Sequence, residues 1–292
     1  MNTQKLSGWL KVVHRLIIVG IVLAVLLPFY WIGVMSVTPQ RHIAGKMIPT
    51  MVPRDASPIA YAQVLGFAEV QGATGRSAAQ MYRRSLMNSI IVAATSTLLA
   101  LVLGTVAAYA LARLDFPGKN VAYVLILGSR LLAQVTLAVP MFILFHRLRI
   151  LDTYLPLIIM NTSFCMAWVT LIMNNYFDMI DKEMEDSARV DGCTRFGAFW
   201  RILLPMAIPG VISVMLISFL FSWGEFLYAL LFTSTAAART MPVVMSMFLG
   251  QFAIEYRLLA AGLAVGVLPP VLLALVFQRF IISGLTQGGM KG

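Results

Sequence analysis

Residues 86–112 read LMNSIIVAATSTLLALVLGTVAAYALA, a run without a single charged side chain. At about 1.5 Å of rise per residue this run makes a helix of about 40 Å, longer than the hydrocarbon core of a bilayer at about 30 Å. Such a helix satisfies its own backbone donors and acceptors, which is the condition for lying in lipid. Five further stretches meet the same test, giving six predicted spans at about 16–38, 86–112, 121–145, 153–177, 205–233 and 258–278. Two of them carry one charge each, Arg130 and Glu225. An even number of spans places both termini on one side.

Composition agrees. Of 292 residues, 60% are hydrophobic and 12% charged, and the mean hydropathy is +0.85, against about 45–50% apolar residues in soluble domains. An ordinary soluble enzyme is thereby excluded. The net charge of +10 comes from cations scattered between apolar runs, which makes a nucleic-acid partner a poor expectation. The two cysteines, Cys165 in an apolar run and Cys193 in a charged loop, form no disulfide framework.

Lys5, Lys11 and Arg15 precede the first apolar run, which is too long for a signal peptide and is followed by no small-x-small cleavage site. It reads as an uncleaved first helix after an N-terminal segment 1–15. Pro28 in that helix and Pro269-Pro270 in the sixth are expected to make kinks that face protein. The stretch 39–85, rich in Pro, Gly, Ala and Ser, reads as a loop with one short helix over Ile59–Leu65. With the N-terminus taken as cytoplasmic, Lys and Arg divide eleven inside to ten outside, which leaves orientation open.

No G-x-x-x-x-G-K-[ST] phosphate loop occurs, so the chain does not hydrolyse nucleotide by itself. His14, His42 and His146 lie in different segments without ligand spacing, and no metal site is expected. No G-x-S-x-G elbow and no glycine-lined ion filter is present.

The loop 178–204 is different in kind, because residues 178–201 hold ten of the chain's 34 charged residues. Lys182-Glu183-Met184-Glu185-Asp186 favours helix, and Gly192 permits a sharp turn without Cβ strain. Small residues at Ser187 and Ala188 would allow close approach to a partner, with flanking charges fixing register. Thr194 is placed to cap a second helix whose Phe196, Phe199 and Trp200 share a face, and Pro205 and Pro209 redirect the chain into the fifth span.

From Asp186 the order is Asp-Ser-Ala, three residues, Gly192, nine residues, Ile202, one residue, Leu204, Pro205. This resembles the Glu-Ala-Ala-x3-Gly-x9-Ile-x-Leu-Pro signature of binding-protein-dependent ABC importer permeases, with Asp186 in the Glu position and Ser187 in that of the first Ala. Asn88-Ser89-Ile90-Ile91-Val92-Ala93, Ala107 to Arg113, Leu151-Asp152-Thr153-Tyr154 and Trp223-Gly224-Glu225-Phe226-Leu227 are similar to the maltose-type carbohydrate members.

The resemblance implies an all-α integral membrane protein of six transmembrane helices. One permease domain, 16–292, would have a periplasmic loop at 39–85 and a cytoplasmic coupling helix between the fourth and fifth spans. It implies coupling to an ATPase through 183–205, with Glu185, Asp186, Ser187, Ala188, Asp191, Gly192, Ile202, Leu204 and Pro205 at the contact. Expected partners are a second permease subunit, two copies of an ABC ATPase, a periplasmic or lipid-anchored solute-binding protein and the bilayer. No cofactor is expected on this chain, since ATP and Mg belong to the ATPase, and the chain has no catalytic residues of its own. The expected place is a prokaryotic inner membrane with both termini cytoplasmic, and the expected cargo a carbohydrate or polyol.

A lone charge at mid-membrane costs at least about 2.5–3.5 kcal/mol, so Arg130 and Glu225 should face a partner or a wet cavity. They are expected to line the translocation path, as an ion pair or singly, together with Trp223 and Tyr228. The alternative is a buried pair that fixes helix register. Phe219, Phe221 and Phe226 in the same span have packing as their ordinary role. Two other functions compete with the importer: a transporter driven by an ion gradient and a non-transporting membrane scaffold. The first normally shows more spans or repeat symmetry.

Overall fold

The computed structural model describes residues 8–43, 52–53, 55–69, 73–250 and 256–288, and among these every regular element is helical. The elements run α1 (Gly8–Val37), α2 (Gln40–Ile43), α3 (Ile59–Val64), α4 (Ala73–Arg113), α5 (Lys119–Ser129), α6 (Gln134–Arg147) and α7 (Tyr154–Asp178). They continue with α8 (Lys182–Val190), α9 (Arg195–Ala198), a π turn (Phe199–Leu203), α10 (Leu204–Met206), α11 (Ile208–Trp223), α12 (Leu227–Phe232), α13 (Met241–Gly250) and α14 (Tyr256–Gly288). The chain forms two compact units, 1–83 with 245–267, and 84–244 with 268–292.

In the first unit α3 is the short helix expected in the long loop. Ser36 Oγ and Tyr61 Oη lie 2.7 Å apart, and an Arg257 guanidinium nitrogen donates to Gln63 Oε1 at 3.1 Å. Buried Tyr82 donates to Gly262 O at 2.7 Å. Side chains 14–30 of α1 are all exposed on this chain. Pro28 is among them, so it does not pack against the chain as expected, and α1 runs through it unbroken. Half-buried Pro269 and Pro270 likewise sit inside a continuous α14.

The second unit is built around α7. Half of its apolar stretch is buried, against 6% for α1. Without a hydrophobic force between helices in lipid, small residues that admit a close neighbour do the work. On α4 Ala100, Gly104, Ala108 and Ala112 recur every four residues, all buried. A Cβ at Gly104 would fall 2.8 Å from Val169 Cβ on α7. Two turns further along α7, a Cβ at Gly210 of α11 would fall 2.7 Å from the Tyr176 ring.

Among the described residues, four helical stretches are long and apolar enough to cross a membrane unbroken: Val12–Val37, Gln80–Arg113, Tyr154–Asp178 and Tyr256–Gln278. The continuous helix expected at 121–145 is instead two, α5 and α6, bent by 95°. At the break Arg130, Leu131 and Leu132 donate three residues back, to Leu127, Gly128 and Ser129 carbonyls, and Ala133 is extended. The stretch 205–233 also departs from one helix. Arg195–Met206 and Ile208–Trp223 are bent by 77°, in accord with the redirection expected of Pro205 and Pro209. A second interruption follows at 224–226, ahead of α12.

Polar links tie connections to helices. Asp152 (φ +59) donates its N–H to Phe232 O at 2.8 Å. Its carboxylate accepts from Ser234 N at 2.9 Å, Thr235 N at 3.0 Å and Thr235 Oγ1 at 2.6 Å. Asn88 Nδ2 donates to Arg239 O at 2.9 Å and Asn88 Oδ1 accepts from Tyr154 at 2.7 Å. Ser89 Oγ accepts from Met241 N at 2.8 Å. Burial works to raise the Asp152 pKa, but the Thr235 and Ser234 hydrogen bonds, with Arg239 nearby, outweigh it and hold the carboxyl below its ordinary value.

Two expectations follow. Gly104→Leu forces α4 from α7 and should destabilise the purified protein by about 1–3 kcal/mol, read from thermal unfolding in detergent. For Asp152 the folded pKa lies below the unfolded one. Its contribution is complete above about pH 4 and disappears as pH falls through the folded value. The stability gap between wild type and Asp152→Asn should therefore be widest near neutrality and close in acid; a constant gap would contradict the assignment.

Candidate functional site

The charged loop folds locally as its sequence requires. Glu183 and Glu185 stand in the first turn of α8 and Arg189 in the last, each favourable to the helix dipole. Arg189 reaches Asp186 at 3.8 Å, an exposed pair of small energetic weight. α8 ends in a Schellman motif: Gly192 has φ +90, its N–H donates to Arg189 O at 3.1 Å, and Cys193 N donates to Ala188 O at 2.9 Å. Nothing lies within 4 Å of a Cβ built at Gly192, so the need for glycine there is conformational. Thr194 caps α9 by accepting from Gly197 N at 3.1 Å, as expected.

Ahead of Pro205, which has no N–H to give to the Arg201 carbonyl, the ladder widens to the π turn. Phe199 is buried there, while Phe196 and Trp200 stay exposed. The three rings lie 5.6–6.2 Å apart by centroid, so they form one aromatic group that runs from the core to the surface.

The predicted contact residues divide. Asp186, Ser187, Asp191, Gly192 and Pro205 are exposed, Ile202 and Leu204 half-buried, and Glu185 and Ala188 buried. Beside the exposed members lie Met184 and Val190, uncovered apolar side chains of the kind that mark a protein contact. Glu185 points inward. Its Oε1 accepts from Tyr109 Oη at 2.7 Å, and its Oε2 lies 3.4 Å from Arg113 Nε. Arg113 also donates to Ile180 O at 2.5 Å, and the Tyr109 ring packs on Phe199 at 4.8 Å. Tyr109 and Arg113 are one turn apart at the end of α4, so a single helix end holds α8 and the π turn together. Sequence reasoning did not single out these two residues, although their i, i+4 spacing at the end of an apolar run was visible.

Arg130 stands at the end of α5 where the chain breaks toward α6. It lines a cleft of about 280 Å³ with Ser129, Met141, Ser163, Phe164 and Trp168. Its guanidinium carbon lies 3.0 Å from the Trp168 ring centroid, a cation–π contact. Of the two arrangements left open, an ion pair with Glu225 or two separate charges, the structure has the second. Glu225 is buried and accepts from Tyr228 N at 2.7 Å and Ala229 N at 3.0 Å, filling two orphan donors at the start of α12. Tyr228 is fully buried and donates to Gln134 O at 2.9 Å, and Trp223 is buried and stacked on Phe219 at 5.6 Å. Of the four residues expected on the path, Arg130 alone lines the cleft. Among the described residues no group of His, Cys, Asp or Glu is placed to hold a metal ion.

Comparison with known proteins bears on both regions. Residues 100–287 match the family described as binding-protein-dependent transport system inner membrane component. The chain is 34% identical over 274 residues to the trehalose transport system permease protein SugB of Mycobacterium tuberculosis, covering 91% of this chain and 93% of the relative. It is 38% identical over 207 residues to the sulfoquinovosyl glycerol transport system permease protein SmoH of Agrobacterium fabrum, covering 71% and 73%. The fold is similar to a chain in the crystal structure of a bacterial ABC transporter involved in the import of the acidic polysaccharide alginate. That similarity has a TM-score of 0.77 at 19% identity and covers 96% of this chain and all of the other.

Removing one partner of a buried ion pair costs about 3–5 kcal/mol, because the other is left buried and unpaired. Arg113→Ala and Glu185→Ala should each release α8 and speed tryptic cleavage at Lys182 and Arg189. The double variant should be little worse than either single one, and additive effects would show that the two residues act independently.

Proposed function

The chain belongs to the binding-protein-dependent transport system inner membrane component family, and on that basis we propose that it forms half of the membrane pathway of an ATP-driven importer for a carbohydrate or polyol. It is a permease subunit, with ATP hydrolysis on a separate subunit. The observation that carries the reading is the family match over residues 100–287, which includes the whole charged loop. The same match weighs against a gradient-driven transporter and a scaffold.

In this reading α8 is the coupling helix. Its exposed Asp186 and Ser187 meet the ATPase, and its buried Glu185 passes the motion to α4 through Tyr109 and Arg113. Asp191, Gly192, Ile202, Leu204 and Pro205 shape the rest of the contact. Six membrane crossings result when α5 with α6 counts as one bent span and Arg195–Met206 with α11 as another. Both termini and α8 then face the cytoplasm of a prokaryotic cell, and 39–85 faces the solute-binding protein outside. A second permease completes the pathway, two ATPase copies bind ATP and Mg, and this chain binds no cofactor. The names of its relatives, a trehalose permease and a sulfoquinovosyl glycerol permease, support a sugar as cargo.

Mild detergent extraction of the tagged chain from its native host, followed by mass spectrometry, should recover a second permease and an ATPase bearing a phosphate loop at two copies. A chain recovered alone or as a homodimer would contradict the reading. Gly192→Glu, which puts a side chain where φ is +90, should detach the ATPase or uncouple hydrolysis from uptake while the protein still inserts.

A further inference from the structure

Among the residues lining the cleft at the α5–α6 break, Arg130 is the one charged side chain. Trp168 occupies one face of its guanidinium. A planar guanidinium stacked in this way keeps its edge N–H groups for a bidentate acceptor such as a carboxylate or sulfonate. Among the described residues no carboxylate neutralises this charge. Glu225 serves the start of α12, and the ion pairs found there, Arg113–Glu185, Lys119–Asp115 and Arg189–Asp186, do not involve Arg130. α6 begins at the same break with no side-chain cap, so its positive dipole end adds to the field.

The rest of the cleft suits a sugar. Ser129 and Ser163 donate their hydroxyl protons to Ile126 and Ile159 carbonyls and keep lone pairs for sugar hydroxyls, while Phe164 and Trp168 supply ring surface. We propose that Arg130 receives an acidic group of the cargo, so that the imported saccharide carries a carboxylate or sulfonate. This rests on the permease reading above and goes further by naming the charge class of the substrate.

The test uses the complex purified from its host and reconstituted in proteoliposomes with its solute-binding protein. The probes are radiolabelled maltose and trehalose, and as acidic counterparts maltobionate and a glucuronosyl-glucose. The wild-type complex should take up an acidic sugar in preference to the neutral ones. Arg130→Gln should lower that uptake by about ten- to a hundredfold, the worth of a hydrogen-bonded charge contact, and Arg130→Lys by less. Uptake of neutral sugars alone, or an equal loss for both classes in Arg130→Gln, overturns the proposal. So does loss of the second permease from the Arg130→Gln complex, which would assign Arg130 a carboxylate on that subunit. Failure of the importer reading itself looks different, since then no ATPase accompanies the wild-type chain and neither class enters with ATP.

Discussion

Inside a bilayer there is no water to accept a backbone hydrogen bond, so a helix that stops in the apolar region must find its missing partners within the protein. Among the described residues, apolar stretches of this chain are interrupted at 130–133 and at 224–226. The two breaks are tied to one another. The Glu225 carboxylate takes the N–H groups of Tyr228 and Ala229, and the Tyr228 hydroxyl reaches across to Gln134 O at the start of α6. Phe145 and Phe232 meet edge to face at 5.3 Å, closing the same contact with apolar surface. The cleft exists because α5 and α6 do not continue one another, and it keeps its shape because α12 holds α6.

The same rule explains the end of α4. A carboxylate taken out of water loses several kcal/mol of hydration, and its partners roughly restore this when geometry is good. Glu185 therefore adds little net stability, but it restricts where α8 can sit, since another register would leave the charge buried without Tyr109 and Arg113. The exposed face of α8 can then be acidic, small and partly apolar without affecting how the helix is held.

Features that depend on residues within one turn of each other were legible in the sequence. The apolar runs gave the helices, Gly192 its left-handed turn, Thr194 its cap, and Pro205 with Pro209 the bend. The helix breaks were not legible. Prolines pointed to Pro28 and Pro269-Pro270, where helices continue, whereas the chain stops at Arg130 and at Gly224-Glu225. A proline costs a helix one hydrogen bond and a clash, which packing can absorb. A break persists where something else satisfies the freed groups or holds the two ends in place: Glu225 takes the N–H groups of Tyr228 and Ala229, and Tyr228 ties α12 to α6 at Gln134 O, 94 residues away.

Arg113 and Arg130 show why charge in a membrane protein cannot be read from its position alone. Both adjoin apolar runs, and hydropathy marks Arg130 as the costlier because it lies inside one. Arg113 is nevertheless the more buried, with 4% of its side chain exposed, and it is balanced by Glu185 from a segment 72 residues later. Among the described residues Arg130 finds a ring and no carboxylate, and the other charge expected inside a span, Glu225, is spent on backbone N–H groups. One arginine is part of how the chain holds itself together. The other is a positive group at a cleft, held against a ring where the chain turns from α5 to α6.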